Sequence, residues 1–514
     1  MLRFDAYRNG VQAEHVDLSG AYLFGQDGIP VRADLAVAKG QIRCLRRTPG
    51  ACGLALLWDA GETGRLLLPT ARLPDRKKSY NLNVELARAQ VMRLIQKWED
   101  WGLFDLPEAR TFEPDLEGLR REFVEALKDD DPAEAARKAD KALAKAVSLG
   151  EKLALFHADV FLRQRRETSA AARVGFGCVV DLLSGTERYR RLMADAFDVV
   201  SVPMAWKKLM PKERAYQWRH IDDWVNWAVG NRRIVHGGPL VSFDPADVPE
   251  WLYIWEHDYE ALREMIYEHL KRVVQRYESK VRVWKVVSGL HAHNSFNLSF
   301  EQIMELTRLS CSVVKGLAPR AAVLIELVLP WGEYFAHNQR TIPPLLYADM
   351  AVQSGVKFDG FGVQLYQGVP QDGMYVRDLM QISALLDELV GLGAPLHVTS
   401  VQVPSDISAD AWDAWGGQAR AGDAGHWHVV WSQRLQAEWL QAFCRVAMSK
   451  PFVESICWRD LGDYEGHYLP HGGLCQNDLT AKLAYKELRN FRASLRTPPG
   501  EEASPAAGEG EAEP

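Results

Sequence analysis

The feature that most constrains the fold is an apolar run followed by a helical pattern, a combination that occurs eight times between Arg173 and about Leu495. Each repeat starts with a short apolar run and continues with apolar residues at helical spacing. The apolar runs are VGFGCVVD, VVSVPM, RIVHGGPLVSF, VRVWKVVS, AAVLIELVL, FDGFGVQL, LHVTSV and SICWRDL. Strands that are apolar on both faces are typical of a parallel sheet covered by helices. The eight repeats therefore predict an α/β protein with a (β/α)8 TIM barrel in residues 173–495.

The chain before the barrel contains two regions with different sequence patterns. Residues 1–80 contain short alternating runs separated by Gly, Pro and Asp, which predicts a small β-sandwich-like domain. By fold analogy this domain resembles a carbohydrate-binding module, and the alternative is a structural domain on the flank of the barrel. Residues 81–172 have helical spacing, and Asp131 is the expected N-cap of a helix that begins at Pro132.

Composition and charge exclude several classes of protein. The net charge is −7 and no basic stripe occurs, so we expect no nucleic-acid partner. No stretch approaches the roughly 20 apolar residues of a membrane span, and the N-terminus lacks the pattern of a signal peptide, so a cytoplasmic location without a membrane partner is expected. The acidic, low-complexity residues 496–514 predict a disordered tail.

The cysteines and histidines do not predict a cofactor. The seven cysteines are scattered without a CxxC pair, which argues against a disulfide scaffold or a zinc module. His291 and His293 form an H-x-H pair after the fourth apolar run, and His467 or His471 is the nearest candidate for a third ligand. Loop histidines that bond to their neighbours give the same pattern, so neither a metal site nor any other cofactor is predicted.

Three of the apolar runs carry motifs of a known family. Residues 284–289 read WKVVSG, residues 359–366 read DGFGVQLY, and residues 398–402 read VTSVQ. These stretches resemble glycoside hydrolase family 10, the xylanase family, whose segments read W-D-V-V-N-E, D-G-I-G-x-Q-x-H and I-T-E-L-D. Residues from SICWRDL to LAYKEL resemble the closing segments of the same family. The resemblance covers about three fifths of the chain. It implies a TIM barrel that hydrolyses β-1,4 glycosidic bonds with retention.

The catalytic positions of that family are substituted here. Retaining hydrolysis uses two carboxyl groups about 5–5.5 Å apart, one as acid/base and one as nucleophile. The resemblance assigns the acid/base position to Gly289 and the nucleophile position to Ser400. Glycine has no proton to donate, and a serine without an adjacent base is a poor nucleophile. We therefore predict a non-hydrolytic carbohydrate-binding pseudoenzyme.

The resemblance also implies a set of substrate-binding residues. The second-strand motif E-N-x-M-K-W becomes SVPMAW at residues 201–206, which retains Trp206 and loses the polar groups. Tyr366 stands where the family has histidine. The candidate contacts for a β-linked oligosaccharide are Trp206, Trp284, Gln364, Tyr366, Trp458 and His291. Whether a protein binds in the same cleft stays open from the sequence.

Two other functions remain open from the sequence. The first is an active O-glycosyl hydrolase of the β-1,4-glycanase type with relocated carboxylates, in which Glu326 works with Asp181, Glu333 or Asp463. Glu326 interrupts an apolar strand, and a buried carboxylate needs a partner, so the structural alternative is an ion pair with Lys285 on the neighbouring strand. The second function is a scaffold protein that assembles through its helical segment and its tail.

Overall fold

In the computed structural model, which describes residues 1–46, 49–168, 170–338 and 340–496, the eight repeats form a closed parallel barrel. Neighbouring strands pair in parallel, and the first strand closes the barrel by pairing with the eighth, with Gly175 opposite Ser455. The predicted (β/α)8 TIM barrel is confirmed. The first to eighth barrel strands are Gly175–Val179, Val199–Val202, Ile234–Gly237, Val283–Ser288, Ala322–Leu327, Gly360–Tyr366, Leu396–Gln402 and Val453–Trp458. A short strand, Val241–Ser242, follows the third strand and pairs with the fourth.

Each barrel strand is followed by a helix that covers the outside of the barrel. The helices are Glu187–Ala196, Arg219–Gly230, Tyr259–Tyr277, Phe300–Leu317, Pro344–Gln353, Leu379–Val390, Gln433–Ser449 and Leu483–Arg496. Several of them begin after a side chain that accepts a backbone N–H, which is the preferred way to satisfy the first turn. These N-caps are Thr186, Asp258, Ser299, Asp378 and Ser432. Two one-turn helices lie in the loops, Trp206–Leu209 and Tyr334–His337.

The N-terminal region is formed by two sheets, as the predicted β-sandwich-like domain requires, with strand residues such as Phe4 and Leu54 in one core. The strands pair in antiparallel fashion, except that Tyr80–Asn81 pairs in parallel with Leu2–Asp5. One sheet has the order Tyr80–Asn81, Leu2–Asp5, Gln41–Arg46, Ala33–Ala38. The other has the order His426–Trp427, Gly64–Pro69, Gly53–Asp59, Tyr22–Phe24, Pro30–Val31. The edge strand His426–Trp427 comes from the loop after the seventh barrel strand. A two-stranded ribbon pairs Tyr7–Arg8 with Val11–Gln12.

A helical segment connects these sheets to the barrel. Its helices are Leu82–Asp100, Glu113–Leu127 and Pro132–Glu167. The third helix begins at Pro132, and the side chain of Asp131 accepts from Ala133 N at its first turn, as predicted. Single 3-10 turns complete the chain at Gln26–Gly28, Gly61–Thr63, Leu103–Asp105, Pro107–Phe112, Ala171–Arg173, Glu250–Trp255 and Ala421–Ala424.

The third helix packs against barrel helices Leu379–Val390 and Gln433–Ser449. At this junction the buried carboxylate of Glu151 accepts three hydrogen bonds from the barrel. Their donors are Leu379 N at 3.1 Å, Trp427 Nε1 at 2.7 Å and His428 Nε2 at 2.9 Å. Burying a carboxylate is unfavourable unless it is hydrogen-bonded. The three hydrogen bonds of Glu151 therefore hold the third helix against the barrel.

The remaining expectations from the sequence concern the cysteines, membrane spans, the tail and the domain boundaries. All seven cysteines are buried free thiols. In the described ranges, none of the helices is both long and apolar enough to cross a membrane. The predicted tail lies outside the described residues, apart from Arg496 at the end of the last helix. The division of the chain at residues 80, 172 and 495 stays a prediction.

Candidate functional site

A cavity of about 370 Å³ lies at the carboxyl ends of the barrel strands. Its wall is formed by strand residues such as Lys285 and Gln364, and by the loops that follow the second to eighth strands. This is the end at which (β/α)8 enzymes place their active sites. Its volume is near the lower end of the 300–1,000 Å³ that is typical of small-molecule sites.

Gly289, at the position that the resemblance assigns to the acid/base, directly follows the fourth strand. Its φ of +63° lies in the left-handed region, which favours glycine. A Cβ atom here would lie 2.8 Å from Val328 Cγ2 and 3.0 Å from His293 Cδ2. The carbonyl of Gly289 accepts a hydrogen bond from His293 N at 2.8 Å, which holds the turn. The local backbone therefore leaves little room for a side chain at this position.

Ser400, at the position assigned to the nucleophile, is buried in the seventh strand and lines the cavity. Tyr366 Oη donates a hydrogen bond to Ser400 Oγ at 2.6 Å. Burial raises the pKa of the Tyr366 phenol well above its usual range, so the phenol keeps its proton. The two side chains form a neutral hydroxyl pair, which supplies no negative charge to an oxocarbenium ion.

The predicted ion pair between Glu326 and Lys285 is wrong. Glu326 is 1% exposed and accepts from Ser288 Oγ at 2.5 Å, while Lys285 Nζ donates to Ser201 Oγ at 3.2 Å. The cause is the strand register. Ser288 lies beside Glu326, Lys285 lies beside Leu324, and the pairing is irregular between Lys285 and Val287. Lys285 therefore faces the cavity instead of the neighbouring carboxylate.

The other carboxylates suggested by the sequence belong to local structure. Asp181 accepts from Ser184 Oγ in the turn after the first strand. Asp463 pairs with Lys482 Nζ at 2.6 Å. Glu333 forms a buried ion pair with Arg377, whose guanidinium also lies 4.1 Å from the Trp331 ring centroid. Among the cavity-lining residues that the structure describes, none of Glu326, Asp181, Asp463 and Glu333 occurs.

Three other carboxylates line the cavity, and sequence reasoning missed them. Asp244 and Asp247 follow the third strand, and Asp372 lies in the loop after the sixth. Burial raises the pKa of Asp247, and the negative charge of Asp244 adds to this effect. Burial also raises the pKa of Asp372. The segment V-S-F-D-P-A-D, with two aspartates at a strand end, was an available signal.

Two of the predicted substrate contacts, Gln364 and Tyr366, line the cavity. Two further aromatic residues, Trp415 and Tyr468, stand beside them. The ring centroids of Tyr366 and Tyr468 are 4.6 Å apart, and those of Trp415 and Tyr468 are 6.3 Å apart. We call Tyr366, Tyr468 and Trp415 the aromatic wall. Trp415 and Tyr468 lie in loops whose paths bring them to Tyr366, so no sequence motif marks these two members of the wall.

The remaining predicted contacts are buried in packing outside the described cavity lining. Trp206 stacks on His269 with ring centroids 4.4 Å apart. Trp284 is fully buried, and Trp458 Nε1 donates to a backbone carbonyl at 3.0 Å. His291 is fully buried with Nε2 3.0 Å from Val328 O. These side chains stabilise the barrel walls.

The histidines do not converge on a metal. His293 Nε2 lies 3.4 Å from Asp244 Oδ2, whereas His291 faces a backbone carbonyl. His467 and His471 both contact Asp410 at another part of the barrel end. Within the described ranges no group of three or more His, Cys, Asp or Glu side chains is arranged to hold a metal ion.

Cationic side chains also line the cavity. Lys285 is 5% exposed, Arg459 follows the eighth strand, and Lys208 lies at the rim. The Arg459 guanidinium is 5.2 Å from the Tyr468 ring centroid, so it lies next to the aromatic wall. Arg459 is the charged residue that follows Trp458 in the apolar run SICWRDL, and this interruption of the run was the sequence signal for it.

Comparisons with known proteins agree with this architecture. The sequence profile of Glycosyl hydrolase family 10 matches residues 165–489. Endo-1,4-beta-xylanase B of Thermotoga neapolitana is 29% identical over 226 residues, which is 43% of this chain and 62% of that protein. Endo-1,4-beta-xylanase A of Xylanibacter ruminicola is 34% identical over 82 residues, 15% of this chain and 22% of that protein. The chain thus spans less than two thirds of the length of these curated relatives.

Two solved structures are also similar to this chain. Native xylanase 10B from Thermotoga maritima has a TM-score of 0.49 and 18% identity, and the match covers 64% of this chain and 98% of that chain. Xylanase 10B from Thermotoga petrophila RKU-1, solved in complex with xylobiose, has a TM-score of 0.46 and 19% identity. That match covers 64% of this chain and 97% of the petrophila chain.

Proposed function

Because the chain belongs to glycosyl hydrolase family 10, we propose that its barrel cavity binds a β-linked oligosaccharide without cleaving it. The observation that carries the proposal is the pair of residues that the resemblance assigns to the family's catalytic positions, Gly289 and Ser400. Retaining hydrolysis requires two carboxyl groups about 5–5.5 Å apart. A glycine and a serine supply neither of them.

The surroundings of both positions support this interpretation. Gly289 sits in a left-handed turn in which a Cβ atom would approach Val328 Cγ2 to 2.8 Å. Ser400 accepts a hydrogen bond from the neutral Tyr366 phenol. At both positions the neighbouring side chains fit the residue that is present, which supports the proposal that no catalytic carboxylate acts there.

The cavity supports the binding half of the proposal. It combines the aromatic wall with Gln364 and with several charged side chains, which is the mixture expected of a site for a polar ligand with apolar ring faces. The curated relatives are endo-1,4-β-xylanases by name, so xylo-oligosaccharides are the first ligands to test. The cytoplasmic location expected from the sequence is part of the same proposal.

A second candidate function is hydrolysis by relocated carboxylates. It is favoured by Asp244, Asp247 and Asp372, which line the cavity in place of the residues suggested by the sequence. The raised pKa of Asp247 would suit a general acid, and a second carboxylate would have to act as nucleophile or base.

One experiment separates the two functions. The protein is mixed with xylobiose, xylotriose and the matching cello-oligosaccharides, binding is measured by calorimetry, and products are measured by chromatography. We expect binding without product release. Turnover that disappears in Asp247→Asn and persists in the exposed control Asp130→Asn would instead establish the hydrolase. Absence of both binding and turnover would overturn both functions and favour a scaffold.

A further inference from the structure

Among the described residues, the cations of the cavity form no direct ion pair with a carboxylate. In the part of the chain that the structure describes, Lys208, Lys285 and Arg459 form no ion pair, although three aspartates line the same cavity. Within the described ranges, the hydrogen bond of the Lys285 side chain goes to the neutral hydroxyl of Ser201. Burying a charge is unfavourable unless another group compensates it. The cavity therefore holds positive charge that the described protein groups do not neutralise by direct contact.

Arg459 is the most informative of these cations. A guanidinium has five N–H donors, yet the described chain offers this side chain no hydrogen-bond acceptor, and Nε is shielded from solvent without a partner. Its guanidinium lies over the Tyr468 ring, 5.2 Å from the centroid, and the charge of buried Asp460 acts on it without a hydrogen bond between the two. Planar guanidinium groups match carboxylates by two parallel hydrogen bonds, a geometry that lysine does not provide.

The aromatic wall next to Arg459 provides the rest of a site. Trp415 Nε1 is also buried and without an acceptor, so a second unpaired donor stands in the same wall. A ligand that packs on the aromatic rings and offers oxygen atoms beside them would satisfy both donors. A sugar ring with an anionic substituent has this combination.

The aspartates restrict the charge of the ligand. Asp244 and Asp247 line the cavity, and Asp247 is close enough to Arg459 and Lys208 for their positive charges to act on the pKa of its carboxyl group. Asp372 also lines the cavity, and the buried carboxylate of Asp460 acts on the charges of Arg459 and Lys208. A dianion such as a phosphate monoester would therefore meet stronger repulsion than a single carboxylate. A single carboxylate is compatible with these charges.

We propose that the saccharide bound in the cavity carries one carboxylate, as a uronic acid residue does, and that this carboxylate pairs with Arg459. The sugar ring then lies against the aromatic wall, and Lys208 and Lys285 provide the surrounding positive potential. This inference rests on the proposed binding function and specifies the chemical class of the ligand.

Calorimetry with three probes tests the inference. The probes are xylotriose, xylotriose bearing one glucuronic acid residue, and the latter compound with its carboxyl group reduced to an alcohol. We expect the acidic probe to bind roughly 10- to 100-fold more tightly than both neutral probes. The preference should weaken as the salt concentration rises. Arg459→Gln should abolish the preference, Arg459→Lys should keep part of it, and the exposed control Arg191→Gln should leave it unchanged.

The outcomes distinguish the inference from the proposed function. Equal binding of all three probes would overturn the inference and leave carbohydrate binding intact. Absence of binding by any probe would overturn both. An unchanged preference in folded Arg459→Gln would overturn the assignment to Arg459. Thermal unfolding checks that each variant is folded, and if Arg459→Gln does not fold, the Arg459→Lys variant and the salt dependence decide the result.

Discussion

Gly289 is held at the end of the fourth strand in a left-handed conformation, and its neighbours occupy the space that a side chain would need. The local packing is therefore matched to a glycine at this position. The adjacent turn, in which His293 N donates to the Gly289 carbonyl, depends on this backbone conformation. Introducing a glutamate at this position would require the turn to move.

The first prediction concerns this residue. Gly289→Ala should lower the free energy of unfolding by about 1–3 kcal/mol, because a left-handed alanine is strained and its Cβ would approach Val328. Chemical denaturation measures the effect. The control is Gly316→Ala, on an exposed helical position with open space around it, which should be neutral or stabilise by up to about 1 kcal/mol. Equal effects of the two substitutions would contradict the prediction.

At the scale of single residues, sequence reasoning identified only part of the site. Gly289, Ser400, Gln364 and Tyr366 stand in motifs whose spacing fixes their places on strands. Arg459 and the cavity aspartates lie in loops, and a loop's path depends on tertiary packing that no local pattern encodes. The prediction of an ion pair between Lys285 and Glu326 was wrong for a related reason, because an irregularity in the strand pairing changed which side chains face each other.

Among the elements, the barrel strands were predictable because their apolar runs are long, evenly spaced and separated by helical patterns. The start of the helix Pro132–Glu167 was also predictable, since Asp131 and Pro132 are strong signals for an N-cap and a first turn. The short strand Val241–Ser242 was not, because two residues carry no periodicity.

The second prediction concerns this helix. Asp131→Ala should lower the free energy of unfolding by about 1 kcal/mol, because Ala133 N would lose its acceptor at the first turn. Asp130→Ala, next to it and exposed, is the matched control and should have little effect. Urea denaturation followed by circular dichroism measures both variants. A larger loss in the control would contradict the assigned cap.

In the whole molecule, the helix Pro132–Glu167 of the helical segment meets the barrel at buried Glu151. Its hydrogen bond raises the pKa of His428, whose ring lies 2.9 Å from a Glu151 oxygen. Because the folded pKa lies above the unfolded value of about 6.5, the stabilising effect is fully present below that pH. It is lost as the pH rises through the folded pKa. The ring is 39% exposed, so solvent reduces the size of the effect.

The third prediction follows from this linkage. The stability difference between the protein and His428→Asn should be largest near pH 5.5 and should shrink toward pH 8.5. Asparagine is chosen because the residue has a φ of +58°, which asparagine tolerates. Thermal unfolding across this pH range measures the difference, with the exposed His220→Asn as control. A difference that grows with pH would contradict the prediction.

Sequence reasoning could not foresee how the two parts are joined. His426 lies opposite Arg65, a pairing across most of the chain that no local signal predicts. The loop after the seventh barrel strand supplies the edge strand of an N-terminal sheet, so the two regions share a sheet as well as a surface.

This shared sheet limits how the chain can be divided or recombined. A gene fragment that encodes only residues 173–495 would carry the strand His426–Trp427 without its partner Gly64–Pro69. A fragment that ends near residue 80 would leave that same partner as an open sheet edge, which is prone to aggregation. Unlike a module attached through a flexible linker, this N-terminal region cannot be exchanged for another without also redesigning a loop of the barrel.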